Sequence, residues 1–373
     1  MSLYIGLMSG TSADGMDAVV VDFSATSPRL VAACGCDYPH QVTQQLREAA
    51  LAESLPLDTI MQLDRQVAAR SVDAVKQVLS QSGISTKDII AIGSHGHTLR
   101  HRSGYNGYSW QIGDPSWIAE HSGIRCVADF RRRDIAASGE GAPLLPAFHQ
   151  SVLGTTTVVK PDMPRMVLNL GGIGNLTVLN PAALTDLPAA GAIGFDTGPG
   201  NALLDDYCQQ RLNMACDHNG ERAQQGQIHH EQLTEWLADS YFQQAIPKST
   251  GREHFNLSRF NPHSDLSHND ALATLVELTA LSIVQAIHHN GHPTGELLVC
   301  GGGAHNAYLM QRLQQQLPQH QVSTTAKYGV DPDWMEAMGF AWLAQRTLQG
   351  LTGNLPAVTG AKGERILGGI YPV

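Results

Sequence analysis

The first 25 positions of the chain contain two apolar runs on either side of a polar, glycine-rich segment. Residues 3–7 are apolar, residues 8–15 are rich in glycine and hydroxyl side chains, and residues 16–23 are again apolar and β-prone. Short apolar runs bounded by turn residues are typical of β-strands. The chain is therefore predicted to open with a strand, a tight turn and a second strand.

The next segment has helical spacing. Between residues 41 and 82, apolar residues recur every three or four positions and are interrupted near Pro56, which predicts two helices. The apolar run 89–93 then ends in glycine, as a buried parallel strand does. We expect this strand to deliver the sequence SHGHT, residues 94–98, to its end.

The same order of elements returns in the middle of the chain. Residues 166–170 form a predicted strand, 171–175 a glycine turn and 176–179 a second strand. Further strands are predicted at 192–195 and 297–300, and helices at 202–210, at 270–290, from 305 or 306, and at 333–348. The alternation is typical of an α/β protein. The repeated strand, turn and strand indicate an ancient duplication.

The length of the chain predicts two domains. With 373 residues, 42% of them hydrophobic, the chain can build two buried cores of ordinary size. Residues 138–145 have the Ser, Gly and Pro composition of a linker. We expect domain I to comprise residues 1–140, completed by the C-terminal segment 350–373, and domain II to comprise residues 141–349.

Charge and composition exclude several classes of protein. The formal charge of −10 opposes attraction to nucleic acid or to an anionic membrane surface. The first residues lack the basic region of a signal peptide, and no window holds about 18 uninterrupted apolar residues. The six cysteines are scattered without zinc-finger spacing. These features indicate a cytoplasmic protein with reduced thiols and no nucleic-acid or membrane partner.

Three turns place glycines together with hydroxyl or carboxylate side chains directly after a predicted strand: residues 10–17, 196–201 and 301–306. In such turns, backbone N–H groups can converge on an anion. The chain has no Walker A sequence, and no turn fits the G-x-G-x-x-G dinucleotide fingerprint with an acidic residue about 20 positions later. The pattern therefore indicates a phosphate-binding fold other than these two.

The chain resembles the anhydro-N-acetylmuramic acid kinase family, within the actin, hexokinase and Hsp70 superfamily. The resemblance covers nearly the whole chain in order and includes Glu336. It rests on seven motifs: GLMSGTSADGMD (6–17), SHGHT (94–98), QIGD (111–114), DFR (129–131), NLGGIGN (169–175), FDTGPGN (195–201) and GGGAHN (301–306). It implies an α/β fold of two related RNase H-like domains flanking a nucleotide cleft, and a homodimer.

The resemblance implies an ATP-dependent kinase that opens 1,6-anhydro-N-acetylmuramic acid with water and phosphorylates O6. The product is N-acetylmuramic acid 6-phosphate, formed in peptidoglycan recycling. Opening the bridge by water requires a base for the water that attacks C1, while O6 is captured by the γ-phosphoryl group. The implied base is Asp196; the alternative is that Asp196 caps the helix that starts after Pro199.

The implied cofactors are ATP and Mg²⁺. Asp14 or Asp17 would help to hold Mg²⁺ through its water shell. The alternatives are a plain hairpin for the first turn, a second hairpin for residues 171–175 and a bare helix-entry turn for residues 301–306. The predicted ATP-binding residues are Gly10, Thr11, Ser12, Ala13, Asp14, Gly15, Met16, Asp17, Gly171, Gly172, Gly198, Gly200, Gly301, Gly302, Gly303 and Asn306.

The predicted sugar-binding residues are His97, Thr98, Asp129, Arg131 and Glu336. Arg131 suits the lactyl carboxylate through its planar, two-pronged donor set. A salt bridge from Arg131 to Asp129 or Asp134 is the structural alternative.

Two other functions remain open at this stage. One is a phosphotransferase of the same superfamily that acts on a simple hydroxyl or carboxylate without ring opening. The other is an ATP-gated binding or chaperone-like module, which would show slow ATPase activity that no small sugar stimulates.

Overall fold

The structure is a computed structural model that describes residues 1–10, 12–25, 27–102, 104, 106–154, 163–179, 192–246 and 248–373. The chain divides into two compact units. Unit 1 comprises Met1–Val152 together with Trp334–Val373, and unit 2 comprises Leu153–Asp333.

The elements follow in chain order, short 3₁₀ and π turns aside. The first part of unit 1 contains β1 Leu3–Ser9, β2 Gly15–Asp22, β3 Arg29–Asp37, α1 His40–Leu51, α2 Leu57–Ser82, β4 Ile89–Arg102, β5 Tyr108–Ile112, α3 Pro115–Ser122, β6 Cys126–Ala128, α4 Phe130–Ala136 and α5 Leu145–Leu153. Unit 2 contains β7 Arg165–Leu170, β8 Ile173–Leu179, β9 Ala192–Pro199, α6 Ala202–Tyr207, α7 Glu221–Gln224, α8 His230–Leu237, α9 His268–His289, β10 Gly295–Cys300, α10 Ala307–Gln316 and β11 His320–Thr324. The chain returns to unit 1 with α11 Met335–Leu348, α12 Pro356–Thr359 and β12 Gly369–Tyr371.

Unit 1 is built on a sheet with strand order β12-β6-β4-β1-β2-β3, and β5 pairs with β4. The pairs β1–β2 and β2–β3 are antiparallel, whereas β1–β4 and β4–β6 are parallel. The β1–β2 register runs from Leu3 opposite Asp22 to Met8 opposite Asp17. The predicted opening hairpin is confirmed.

Unit 2 repeats this arrangement in its own sheet, with strand order β11-β10-β7-β8-β9. The pairs β7–β8 and β8–β9 are antiparallel, and β7–β10 and β10–β11 are parallel. Both sheets thus share one path: three antiparallel strands, with two further strands parallel to the first. The prediction of two related RNase H-like α/β domains is confirmed.

Helix α11 lies directly on the sheet of unit 1 because two strand positions are glycine. A Cβ at Gly6 on β1 would overlap the carbonyl oxygen of Ala337, and one at Gly93 on β4 would overlap that of Phe340. The helix therefore belongs to unit 1. This differs from the expected extent of domain II, residues 141–349, and the unit boundaries fall at 152/153 and 333/334 instead.

Helix α9 forms the centre of the unit 2 core. The hydroxyl of Ser267 accepts a hydrogen bond from the backbone N–H of Asp270 at 3.2 Å and caps its N-terminus. Among the described residues, α9 alone is long and apolar enough to cross a membrane, but 83% of that window is buried inside the protein. A buried core helix meets the same criteria, so this feature is weak evidence for a membrane span.

Two strands run further than the sequence predicts. Strand β4 continues to Arg102, and His97 pairs there with Ile112 of β5. Strand β9 continues to Pro199, with Asp196 opposite Asn175 of β8. Residues 94–98 and Asp196 therefore lie within strands, not beyond strand ends as expected.

Candidate active site

The turn between β1 and β2 is held by its own hydrogen bonds. The N–H of Ala13 donates to the carbonyl of Gly10 at 3.1 Å, and the Ser12 hydroxyl donates to the Asp14 carboxylate at 2.9 Å. The carbonyl of Ser12 accepts from Nε of Arg47 at 2.9 Å. Ala13 has a left-handed φ of 54°, which is uncommon for a residue with a Cβ. A left-handed residue is one half of the backbone pattern that forms anion-binding nests.

The structure separates the predicted ATP-binding residues of this turn into two groups. Gly10, Ser12 and Asp14 are partly or fully exposed, whereas the side chains of Ala13 and Met16 are 1% and 0% exposed and lie in the core of unit 1. The side chains of Ala13 and Met16 are therefore unavailable to a ligand, so a contact with ATP at these two positions would use the backbone. Thr11 lies outside the described residues.

Gly15 and Asp17 lie at the start of β2, directly after the turn. A Cβ at Gly15 would come within 2.9 Å of the carbonyl oxygen of Cys36 on β3, so sheet packing alone requires a glycine there. The carboxylate of Asp17 is partly exposed on β2.

His97 is held by a short relay of hydroxyl groups. The Tyr38 hydroxyl donates to Oγ of Ser9 at 3.1 Å, and Oγ of Ser9 lies 3.1 Å from Nδ1 of His97. Burial lowers the pKa of His97 to about 4, so its imidazole is neutral at physiological pH. The Ser9 hydroxyl accepts from Tyr38 and keeps one proton of its own. When Ser9 donates that proton to Nδ1, the proton of the neutral ring is on Nε2.

Arg131 is oriented by His95. Nε2 of His95 accepts from Nε and Nη2 of Arg131 at 3.1 and 3.0 Å, and Nδ1 of His95 lies 3.0 Å from the carbonyl of Gly96. Burial and the neighbouring guanidinium hold the pKa of His95 well below its usual range. The neutral ring is thus fixed in one tautomer, with its lone pair toward Arg131.

Arg131 remains a cation in this environment. Burial lowers its pKa to about 10, and the carboxylate of Glu336 opposes that shift. Its Nη1 donates to the carbonyl of Gly141 at 2.9 Å. Unit 1 thus brings together Arg131, Glu336 and two neutral histidines.

Asp129 and Asp134, the two alternative ion-pair partners of Arg131, bind other groups. Asp129 pairs with Arg132 at 2.7 Å, and the carboxylate of Asp134 accepts the backbone N–H of Gly141 at 2.9 Å. Asp129 has a left-handed φ of 62° at the start of α4. Thr98, the remaining predicted sugar contact, accepts from Nε2 of Gln111 at 3.0 Å.

Asp196 is the focus of the candidate site in unit 2. Its Oδ1 accepts from Nδ2 of Asn175 at 2.8 Å, and its Oδ2 accepts from the backbone N–H of Thr250 at 2.9 Å and from the Ser249 hydroxyl at 3.1 Å. Burial raises the pKa of the Asp196 carboxyl above its ordinary value, and these three hydrogen bonds oppose the rise. The carboxylate caps no helix: α6 begins at Ala202, and its N-cap residue is Asn201.

The backbone of Asp196 is fixed by the segment 248–250 and by Tyr241. The N–H of Asp196 donates to the carbonyl of Lys248 at 3.0 Å, and the Tyr241 hydroxyl donates to the carbonyl of Asp196 at 2.9 Å. Sequence reasoning missed these residues. The only local signal is the dense polar run KSTGRE at 248–253, which has neither helical nor strand periodicity.

The glycines predicted to bind ATP in unit 2 have different structural explanations. A Cβ at Gly200 would overlap the carbonyl of Gly171, and one at Gly303 would come within 2.5 Å of Leu170. By contrast, a Cβ at Gly171 or Gly302 would approach other atoms no closer than 3.9 Å. Packing does not require glycine at those two positions, whose open space leaves room for a ligand to approach the backbone.

Other predicted contacts in unit 2 have structural roles. Gly198 has φ 146°, and a Cβ there would come within 2.8 Å of Phe242. Gly301 has φ 78°, in the region that favours glycine. The Asn306 side chain caps α10 by accepting from the N–H of Leu309 at 3.0 Å. These contacts account for the residue types without a ligand.

A resident metal site is absent from the part of the chain that the structure describes, where no group of three or more His, Cys, Asp or Glu side chains could hold an ion. Mg²⁺ bound with a nucleotide needs fewer protein ligands, because phosphate oxygens and water complete its shell. Exposed Asp14 and partly exposed Asp17 fit that requirement.

Comparison with known proteins gives one consistent family. The family model described as anhydro-N-acetylmuramic acid kinase matches residues 2–373. A protein of that name from Xanthomonas campestris pv. campestris strain 8004 is 48% identical, covering 99% of this chain and 97% of its own length. Another from Shewanella sediminis is 46% identical, covering 99% and 98%. Among solved structures, the activator of 2-hydroxyisocaproyl-CoA dehydratase from Clostridium difficile aligns with TM-score 0.47 and 11% identity, covering 94% of this chain and 98% of that one.

Proposed function

The chain belongs to the anhydro-N-acetylmuramic acid kinase family, and on that premise we propose how its residues carry out the reaction. The enzyme uses ATP and water to convert 1,6-anhydro-N-acetylmuramic acid into N-acetylmuramic acid 6-phosphate. The conversion returns a cell-wall sugar to metabolism in peptidoglycan recycling.

Asp196 is the general base, and its hydrogen-bonded carboxylate is the observation that carries the mechanism. The carboxylate takes a proton from water, the water oxygen bonds to C1, and the C1–O6 bond breaks. O6 then bonds to the γ-phosphorus as the bond to ADP breaks. A raised pKa makes Asp196 a stronger base than an ordinary aspartate. The donors from Asn175, Ser249 and Thr250 fix its direction.

The phosphates of ATP bind to the glycine-rich turns. In unit 1, the proposed donors are backbone N–H groups of the turn between β1 and β2, supported by the left-handed φ of Ala13. The Ser12 hydroxyl becomes a further donor when its proton turns from the Asp14 carboxylate to a phosphate oxygen. In unit 2, the open positions Gly171 and Gly302 allow close approach of the nucleotide. Asp14 or Asp17 would hold Mg²⁺ through its water shell, and the ion would supply positive charge that neutralises the phosphates.

The sugar binds to polar residues of unit 1. The Arg131 guanidinium recognises the lactyl carboxylate, and His95 fixes its orientation. His97, Thr98, Asp129 and Glu336 supply further polar contacts to the sugar. In the neutral tautomer with the ring proton on Nε2, His97 can donate a hydrogen bond to a sugar oxygen.

Two further assignments are a homodimeric assembly, which the family resemblance implies, and a cytoplasmic location, which the composition of the sequence indicates. Light scattering coupled to size-exclusion chromatography tests the first. A mass near twice the chain mass of 40.1 kDa is expected, and a mass equal to that of one chain would contradict the dimer.

The activity is tested by incubating the protein with Mg-ATP and 1,6-anhydro-N-acetylmuramic acid, with mass spectrometry of the products. A 6-phosphorylated reducing sugar and an equal amount of ADP are expected. Equal turnover of ordinary N-acetylmuramic acid would instead indicate a kinase that does not couple ring opening to transfer. ATP hydrolysis that neither sugar stimulates would indicate an ATP-gated module.

A further inference from the structure

Arg252 has a donor without a partner at one of the open glycine turns. Its Nε atom is buried and makes no hydrogen bond with the residues that the structure describes. Its Nη1 makes one ion pair, with Oδ1 of Asp206 on α6 at 3.3 Å. A buried donor without an acceptor costs free energy, and buried N–H groups in folded proteins are rarely left unpaired. The Nε–H group of Arg252 is therefore available to an acceptor supplied by a bound ligand.

Gly172 locates that position. A Cβ at Gly172 would come within 3.2 Å of Nε and 3.6 Å of Nη2 of Arg252, so the guanidinium lies against the backbone of this turn. The carbonyl of Gly172 accepts from the N–H groups of Gly200 and Ala202 at 2.9 and 3.0 Å. The turn is thus anchored to the start of α6, and the neighbouring Gly171 is open. Arginine, glycine backbone and open space occur together at this point.

The same segment connects this arginine to the base. Thr250 donates its N–H to the Asp196 carboxylate, and Arg252 follows two residues later. A planar guanidinium beside a glycine turn is suited to phosphate oxygens, which it can bind with two parallel N–H donors. Asp206 occupies one edge of the guanidinium and holds it in place.

We propose that Arg252 binds a phosphate oxygen of ATP at the Gly171–Gly172 turn and stabilises the charge that develops during transfer, with Asp206 as its positioning residue. The inference rests on the proposed function, because it gives Arg252 a role in that same reaction. It adds a cationic contact that the glycine-rich motifs do not contain.

The test compares Arg252→Ala and Arg252→Lys with the wild type in steady-state assays in which ATP and the anhydro sugar are varied separately. For Arg252→Ala, kcat/KM for ATP is expected to fall by about 10²- to 10³-fold, as when one charge-stabilising donor is removed from an active site. Arg252→Lys keeps the charge without the two-pronged geometry and recovers part of this loss. Added guanidinium ion at low millimolar concentration restores activity to Arg252→Ala only.

Asp206→Asn tests the positioning role. It is expected to lower kcat/KM for ATP by about tenfold, a smaller loss than that of a removed donor, and to leave KM for the sugar unchanged. The matched control is Arg259→Ala, which removes an arginine paired with Asp239 at 2.7 Å and half exposed. Because exposed ion pairs contribute little, its activity should stay within about twofold of the wild type.

The outcomes separate this inference from the proposed function. If the wild type does not convert the anhydro sugar, the proposed function fails first. If the wild type is active but Arg252→Ala behaves like Arg259→Ala, the role of Arg252 is refuted. It is also refuted if Arg252→Ala raises only KM for the sugar and is fully active on an anhydro amino sugar without the lactyl group. Should Arg252→Ala fail to fold, Arg252→Lys with unchanged kcat/KM for ATP would refute the role equally.

Discussion

Asn175 is expected to set the pH at which the enzyme loses activity in acid. Its Nδ2 donates to Oδ1 of Asp196 at 2.8 Å, and this bond stabilises the charged carboxylate against the effect of burial. A hydrogen bond to a charged group contributes about 1.5–3 kcal/mol, and Asn175→Ala removes that stabilisation of the charged carboxylate. Asn175→Ala should therefore raise the pKa of Asp196.

The sign of the effect follows from the role of the base. Asp196 accepts a proton only when it is deprotonated, so activity falls as pH drops through its folded-state pKa. Because Asn175→Ala raises that pKa, the acid limb of the kcat profile moves to higher pH. Ser249→Ala, which removes a bond of 3.1 Å to the other carboxylate oxygen, moves it in the same direction.

The assay is kcat at saturating ATP and sugar across the acid and neutral range for the wild type and Asn175→Ala. The matched control is Asn290→Ala, because the Asn290 amide donates to the backbone carbonyl of Ala286 and not to a carboxylate. The control limb should coincide with that of the wild type. An acid limb of Asn175→Ala that stays in place or moves to lower pH would refute the reasoning.

The remaining predictions concern glycines and a histidine. Gly302→Ala should leave the free energy of unfolding within about 0.5 kcal/mol of the wild type but raise KM for ATP, because its Cβ position is open. Gly200→Ala, whose Cβ overlaps the carbonyl of Gly171, should lower the free energy of unfolding by about 1–3 kcal/mol in urea titrations; equal stability of the two variants would contradict this contrast. His97, with a pKa of about 4, should show no titration of its ring nitrogens by NMR between pH values of about 6 and 8, and a midpoint near the ordinary histidine value of about 6.5 would contradict its burial.

Hydrophobic spacing predicted most of the helices and strands, because their apolar faces are buried in a regular way. Helix α9 and strand β10, for example, have bounds close to the expected ones. The predicted ends of β4 and β9 were wrong, because both strands run further than their apolar residues. Residues 94–98 are mostly polar, yet Ser94, His95 and His97 are buried. Strand pairing holds their backbone, and the two histidines find hydrogen-bond partners in Arg131 and Ser9 of unit 1, whereas the Ser94 hydroxyl has no partner among the described residues. Spacing along the chain does not reveal such partners.

The candidate site was predictable only where it is local in sequence. Asp196, its donor Asn175 and the glycine turns lie in recognisable motifs. The other two donors to the Asp196 carboxylate, Ser249 and Thr250, are more than 50 residues away. The expected domain II, residues 141–349, contained Glu336, whereas the structure places this residue in unit 1. Its helix α11 belongs to unit 1 because Gly6 and Gly93, far away in the chain, leave room for it on the sheet.

The coupling of ring opening to phosphoryl transfer, with Asp196 as the base, is tested most directly by the fate of water oxygen. The wild type and Asp196→Asn are incubated with Mg-ATP and the anhydro sugar in ¹⁸O-labelled water, and circular dichroism verifies that the variant is folded. The account predicts ¹⁸O at C1 of the wild-type product and none in the transferred phosphate, with activity lower by about 10²- to 10⁴-fold in Asp196→Asn. Label in the phosphate instead of at C1, or a folded Asp196→Asn with nearly full activity, would contradict it.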